Sequence, residues 1–358
     1  MKVGILTYHR SHNYGALLQA IALREVLEDM GHIVTFIDYW PAYHKNVYAL
    51  FSYKQMQLGG LRGQFRYIKT CLLNFAARKR RIDSFNSFIS QYIEPHTSSI
   101  CEKYDVVVYG SDQIWRRQKA LGTYNPVYFG VNEIKSQRHV SYAASIGILP
   151  QNDEDKATIK RYLSRLDRIS VRESNLQKLV MDLGFPKVSL NLDPTLLLTQ
   201  EFWIDHFGLK KNNQPPYALY YRIQDSFDEV ELRQYVKSKN LKLKIIHSTA
   251  RCAESEENIT TASPLQFLQL IYGATIVFTS SFHGLAFSLI FHKPFYASFV
   301  KNEGRAKSLL QQCKLNGYLL APRSAIPLPE QIDYSNIDTI LDQLRKVSFT
   351  YLQESLSF

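Results

Sequence analysis

Ala274 to Phe295, ATIVFTSSFHGLAFSLIFHKPF, is the stretch that most limits what this chain can fold into. Thr275 to Phe278 is a β-branched and aromatic run suited to a buried strand, and Leu285 to Phe291 opens a helical pattern that Pro294 ends. Only Thr279-Ser280-Ser281-Phe282-His283-Gly284 separates them, so strand must turn tightly into helix. Such a helix directs unpaired N–H groups and the positive end of its dipole into the crevice at the strand's carboxyl end, where open α/β sheets bind anions. Hydroxyls, backbone donors and an imidazole then meet at one point. The same residues also fit a plainer arrangement, with Ser280 or Ser281 capping the helix and His283 a satisfied structural histidine.

The start of the chain repeats the theme. Residues 2–8 (KVGILTY) read as a strand, Ala16 to Met30 as a helix stopped by Gly31, and His32 to Tyr39 as a strand ended by Pro41. The loop Asn13-Tyr14-Gly15, with Gln19 one turn later, is expected at a helix N-terminus facing a crevice. It lacks the spaced glycines of a dinucleotide fingerprint, which argues against a nicotinamide or flavin enzyme. Tyr104 to Tyr109 (YDVVVY) has the apolar run of a central parallel strand and delivers Gly110-Ser111-Asp112-Gln113-Ile114-Trp115. There Asp112 could accept a proton from a sugar hydroxyl and Trp115 could offer its face to a sugar ring; equally, the aspartate could cap a helix and the tryptophan pack inside.

Further strands at His139 to Ala143, Ile169 to Val171, Tyr217 to Tyr221 and Lys242 to His247 alternate with helical segments. The fold class expected is α/β, with parallel sheets in two Rossmann-like domains. A length of 358 residues gives each domain room for its own core. The expected division is 1–160, carrying a helical insertion at about 42–95; 161–330, with the central turn; and a helical segment 331–358 able to cross back to the first domain.

Charge is concentrated rather than spread. Of a net +11, an excess of eight lies between Ala42 and Gln91, where nine Lys or Arg face Asp83 alone. Leu61, Phe65, Ile68, Leu72, Phe75, Ile82, Phe85 and Ile89 recur there at helical spacing, predicting an amphipathic helix with a basic face. It is either an ordinary solvated face or a surface for anionic lipid or an acidic substrate. No nucleic-acid recognition motif accompanies it. Cys71, Cys101, Cys252 and Cys313 lack metal-ligand spacing and fit reduced thiols. No secretory leader is read at the start, and no apolar run reaches the roughly 20 residues of a membrane span. The protein is therefore expected in the cytoplasm.

The blocks ILTYHRSHNYGALLQAIALREVL, VVVYGSDQIW, SYAASIG, SVRES, NLDPTLL, TSSFHGLAFSLIFHKPF and NEGRAKSLL resemble, in order, those of the polysaccharide pyruvyl transferase family. The resemblance runs from about residue 3 to about residue 320. It implies a fold similar to two-domain GT-B glycosyltransferases and transfer of a pyruvyl group from phosphoenolpyruvate to sugar hydroxyls as a ketal, for a cell-surface glycan. It departs at one point: many members carry arginine two residues before the histidine, where this chain has Ser281.

That chemistry needs anion clamps and an acid. Amides at Ser281 to Gly284, with Ser280, could hold the phosphate; Arg172 and Arg305 are the candidates for the carboxylate, and His283 for the acid. By analogy with GT-B enzymes, the donor belongs to the second domain and the acceptor, a sugar or lipid-linked oligosaccharide, to Asn13, Tyr14, Gly15, Gln19, Asp112, Gln113 and Trp115. Phosphoenolpyruvate would be a co-substrate; no cofactor, metal or nucleic acid is expected, and contact with the inner membrane surface through the basic helix is. The other readings are a GT-B glycosyltransferase using a nucleotide sugar and a non-catalytic membrane-docking component of a glycan-assembly complex.

Overall fold

The computed structural model describes residues 1–45, 50, 60–131, 133–211, 214–250, 252–327 and 331–357. Lys54, counted in the basic stretch, and the side chain of Leu61, at the start of the expected amphipathic helix, lie outside the described residues. Two wholly parallel sheets carry the fold. The first contains β1 (Lys2–Leu6), β2 (Ile33–Ile37), β3 (Thr97–Ser98), β4 (Lys103–Asp112), β5 (Lys135–Ala144), β6 (Ile169–Val171) and β7 (Val188–Leu190), in the order β3-β2-β1-β4-β5-β6-β7. The second contains β8 (Tyr217–Arg222), β9 (Lys242–His247), β10 (Asn258–Ile259), β11 (Ile276–Thr279), β12 (Phe295–Ser298) and β13 (Leu319–Leu320), ordered β10-β9-β8-β11-β12-β13. These are the two parallel, Rossmann-like sheets expected of an α/β chain.

The expected boundary at residue 160 is corrected. β6 pairs with β5 through Val171 and Ala144, and β7 pairs with β6, so 161–190 completes the first sheet and the division falls between Leu190 and Tyr217. The alternation of strand and helix continues unbroken across that point, so pattern alone carries no mark of which sheet a strand joins.

Each sheet reverses its strand order once, at β1/β4 and at β8/β11, and the crevice beyond the strand ends at such a point is where doubly wound sheets hold ligands. Helix Tyr14–Asp29, which follows β1, is buried along nearly its whole length and lies between the two halves of the molecule. Tyr14 stacks on Phe267 of the second half at 4.5 Å, and Leu17, Leu18 and Ile21 share one continuous core with Phe267, Leu268 and Phe287. Helix Tyr334–Leu356 crosses back: Tyr334 donates to the Lys293 carbonyl, while Tyr351 donates to the Ser141 carbonyl of β5 at 2.8 Å. The insertion between β2 and β3 includes helices Gly60–Leu73 and Phe75–Tyr92. Among the described residues no helix is long and apolar enough to cross a membrane.

Candidate active site

The two reversal points face each other across a cleft of about 310 Å³. Tyr8, Asn13 and Ala16 reach it from beyond β1, Asp112, Gln113 and Arg116 from β4, Gln224 from beyond β8, and Ser280 to His283 from the turn after β11. The sequence folds the last of these as a helix that starts at Phe282, three residues before the apolar pattern becomes regular, with Ser281 as its N-cap accepting from the Gly284 amide at 3.5 Å. A side chain on Gly284 would meet Thr279 Oγ1 at 2.2 Å, which is why glycine stands there. Phe282 and His283, as the first two residues of the helix, have amides with no acceptor inside it.

His283 is buried between the two halves. A β-carbon on Gly15 would sit 1.9 Å from His283 Nδ1, so this glycine of the first half is the floor on which the imidazole rests. On its other side Nε2 lies 3.6 Å from Asp193 Oδ2. Asp193 is wholly buried; its Oδ1 accepts from the Thr195 amide at 3.0 Å and hydroxyl at 2.7 Å, and its Oδ2 pairs with Arg172. Arg172 also reaches Asp112 Oδ1 at 3.4 Å, and Arg305 approaches the same oxygen at 3.8 Å. Both guanidinium groups lie over the ring of Phe282, at 4.7 and 5.5 Å.

Burial opposes ionisation of Asp193, but Arg172 and then His283 outweigh it and hold the carboxyl well below the usual range. Asp112 is likewise lowered: burial pushes it up, and Arg172, His283 and Arg305 more than offset that. Arg305 is lowered to about 10 by burial and by the neighbouring charge of Arg172, leaving it a cation short of compensation. Among the described residues thirteen buried side-chain atoms lack a hydrogen-bond partner, and six belong to Gln113, Arg172, Glu173, His283, Asn302 and Arg305, in the cleft or its immediate support. Such atoms are scarce in folded proteins, so their concentration here describes a site that a polar ligand would complete. Asp112 holds φ at 68°, a left-handed conformation that residues other than glycine rarely adopt.

Residues 13–298 match the family described as polysaccharide pyruvyl transferase. The chain belongs to that family. Its sugar-polymer and transferase character gives the cleft a context that geometry alone does not. No curated protein matches the chain by sequence. Solved structures with some similarity include the UDP-N-acetylglucosamine 2-epimerase of Rickettsia bellii, with 12% identity, 99% of this chain and 97% of that one covered, and a TM-score of 0.45. The UDP-GlcNAc 2-epimerase of Neisseria meningitidis, bound to UDP-GlcNAc, covers 99% of each chain at 10% identity and TM-score 0.46. The E. coli heptosyltransferase WaaC with ADP covers 96% of this chain and 100% of its own at 12% identity and TM-score 0.40.

For this pyruvyl transferase family member, the structure gathers His283, Asp112, Gln113, Arg172, Arg305, Asn13, Gly15, Ser281 and Gly284 at or against one cleft. The roles expected of Trp115, Gln19 and Tyr14 are corrected. Trp115 is wholly buried, donates to the Tyr128 carbonyl and stacks on Phe129 at 5.0 Å, so it offers no face to a sugar. Gln19 donates to Thr7 and Ala16 and accepts from the Ser111 amide, holding the strand end beneath Asp112. The Tyr14 hydroxyl donates to the Ala262 carbonyl and accepts from Arg81 at 3.0 Å, making it a joint between the halves. Ser280 borders the cleft, but its hydroxyl accepts from the Ile223 and Gln224 amides at 2.9 Å. Asn13 caps its helix by accepting from the Ala16 amide. Asp193 was missed as a site residue. Its signal was the motif NLDPTLL, where a carboxylate before proline caps a short turn, a pattern that does not distinguish a cap from a buried counter-ion. Among the described residues no three His, Cys, Asp or Glu side chains are grouped to hold a metal ion.

Proposed function

We propose that this protein transfers the pyruvyl group of phosphoenolpyruvate to two hydroxyls of a sugar, as a ketal, in the assembly of a cell-surface polysaccharide. The observation that carries the reading is Arg305, lying over the Phe282 ring at the start of helix Phe282–Ile290 and lining with His283 a cleft where buried donors, its own Nε among them, stand unpaired. Phosphoenolpyruvate is a compact dianion or trianion with a planar carboxylate, matching a guanidinium fork on one side and helix-start amides on the other. Arg172 has a different task in this scheme. Its charge is committed to Asp193 and Asp112, so it braces the carboxylates while Arg305 meets the donor.

The reaction balances with the groups present. One sugar hydroxyl bonds to the carbon bearing the phosphate as a proton is delivered to the methylene carbon; a second hydroxyl then bonds to the same carbon as phosphate leaves. Two hydroxyl protons are given up, one ending on the new methyl group and one on phosphate. His283 moves the first and Asp112, held ionised, receives one from a hydroxyl. In calorimetric titration, phosphoenolpyruvate is expected to bind the native protein, and Arg305→Ala is expected to weaken binding by about 10- to 100-fold, as loss of a charge-assisted hydrogen bond does. A protein that ignores phosphoenolpyruvate in the presence of acceptor sugar yet binds a nucleotide sugar is instead a glycosyltransferase.

A further inference from the structure

Helix Gly60–Leu73 turns an apolar row outward. Phe65, Ile68, Leu72 and Leu73 are 80, 40, 63 and 74% exposed, while among the described residues of this helix Cys71 is the buried one. At 100° per residue Phe65, Ile68 and Leu72 fall within about 60° of one another, and Arg62, Arg66 and Lys69, all exposed, form a second row directly beside them. The helix contains no acidic residue, and among the described residues these three cations make no ion pair. Isolated exposed apolar residues are ordinary; a stripe of them on one helix marks a surface that is covered in use.

Charge decides what covers it. A second copy docking the same face would bring two rows of three cations together, which disfavours a symmetric dimer. A bilayer with anionic headgroups suits both rows at once: the apolar side chains sink to the acyl boundary, and the arginine and lysine stems lie along it with their heads among phosphates. We propose that helix Gly60–Leu73 docks the protein on an anionic lipid surface. The following helix Phe75–Tyr92 carries Arg81, which bonds Tyr14 of the first half and the Thr260 carbonyl of the second, each at 3.0 Å, so the docking helix adjoins the elements that join the two halves.

The test is flotation of the full-length protein with phosphatidylcholine vesicles, with or without phosphatidylglycerol. Binding is expected to the phosphatidylglycerol vesicles and to fall in high salt. Each cation near such a surface is worth about 1 kcal/mol, or roughly fivefold, so joint Arg62→Gln, Arg66→Gln and Lys69→Gln substitution weakens it by about 100-fold. Phe65→Ser with Leu72→Ser also releases the protein, which adsorption by charge alone does not predict. Near-ultraviolet circular dichroism checks that both variants remain folded. No binding to either vesicle, undiminished binding by either variant, or a self-association dissolved by Phe65→Ser with Leu72→Ser overturns the proposal. The readout is lipid binding, so it stands or falls apart from the transferase reading.

Discussion

Three residues settle how His283 can act. Gly15 supports one face of the imidazole, Asp193 stands 3.6 Å from Nε2, and Arg172 fixes Asp193 in turn. His283→Ala is expected to lower turnover by about 10²- to 10⁴-fold, the usual worth of a positioned acid, while phosphoenolpyruvate still binds. Gly15→Ala puts a methyl where Nδ1 now lies, and is expected to lower kcat more than it lowers the melting temperature; equal losses in both would mean the glycine serves packing alone. Asp193→Asn leaves the Arg172 guanidinium buried without its main counter-charge. A cost of about 3–5 kcal/mol in denaturant unfolding is expected, alongside loss of activity. The placement of His283 and Asp112 at the cleft was readable from the sequence because each follows a strand in a short polar turn, whereas Arg305 came with the family resemblance, in the block NEGRAKSLL. Asp193 and Gly15 were harder, since support for an imidazole from a distant loop is set by how the two sheets meet. Trp115 misled because an aromatic residue after a strand reads alike whether it faces a sugar or Phe129.

At the scale of elements, the helix starting at Phe282 is the part of the machinery most sensitive to local chemistry. Ser281→Ala removes its cap and is expected to cost about 1 kcal/mol in thermal or denaturant unfolding, with the Gly284 amide left to solvent. The turn was legible because strand, hydroxyl cap and apolar helix occur within one short stretch, each with its own local cause. The assignment of β6 and β7 was not, because a parallel strand carries the same apolar pattern in either sheet and only its neighbours decide its home.

For the whole molecule, acid sensitivity follows from buried imidazoles. His9 is lowered to about 4 by burial, and His44 to about 4 by burial and then by Arg116. A group whose folded pKa lies below its unfolded value of about 6.5 takes up protons on unfolding, so stability falls as pH drops from about 6.5 toward 4. Asp112 and Asp193, with lowered pKa values, keep their contribution through that window and lose it only at lower pH. Melting temperature should therefore decline between about pH 7 and pH 5, and His9→Asn should flatten the decline; an unchanged slope in the variant would place the effect elsewhere.

Helix Tyr334–Leu356 has one more consequence, for the order in which the molecule can be made. Tyr351, Leu352 and Leu356 belong to the core that contains Val3 and Ile5 of the first strand, and Arg168 pairs with Glu354 at 2.9 Å. As the chain leaves the ribosome from its N-terminus, the half that is synthesised first is thus the last to be sealed. Until helix Tyr334–Leu356 emerges, a nascent chain carries an uncovered apolar face, and a chaperone or a protease would find it there throughout synthesis of the second half.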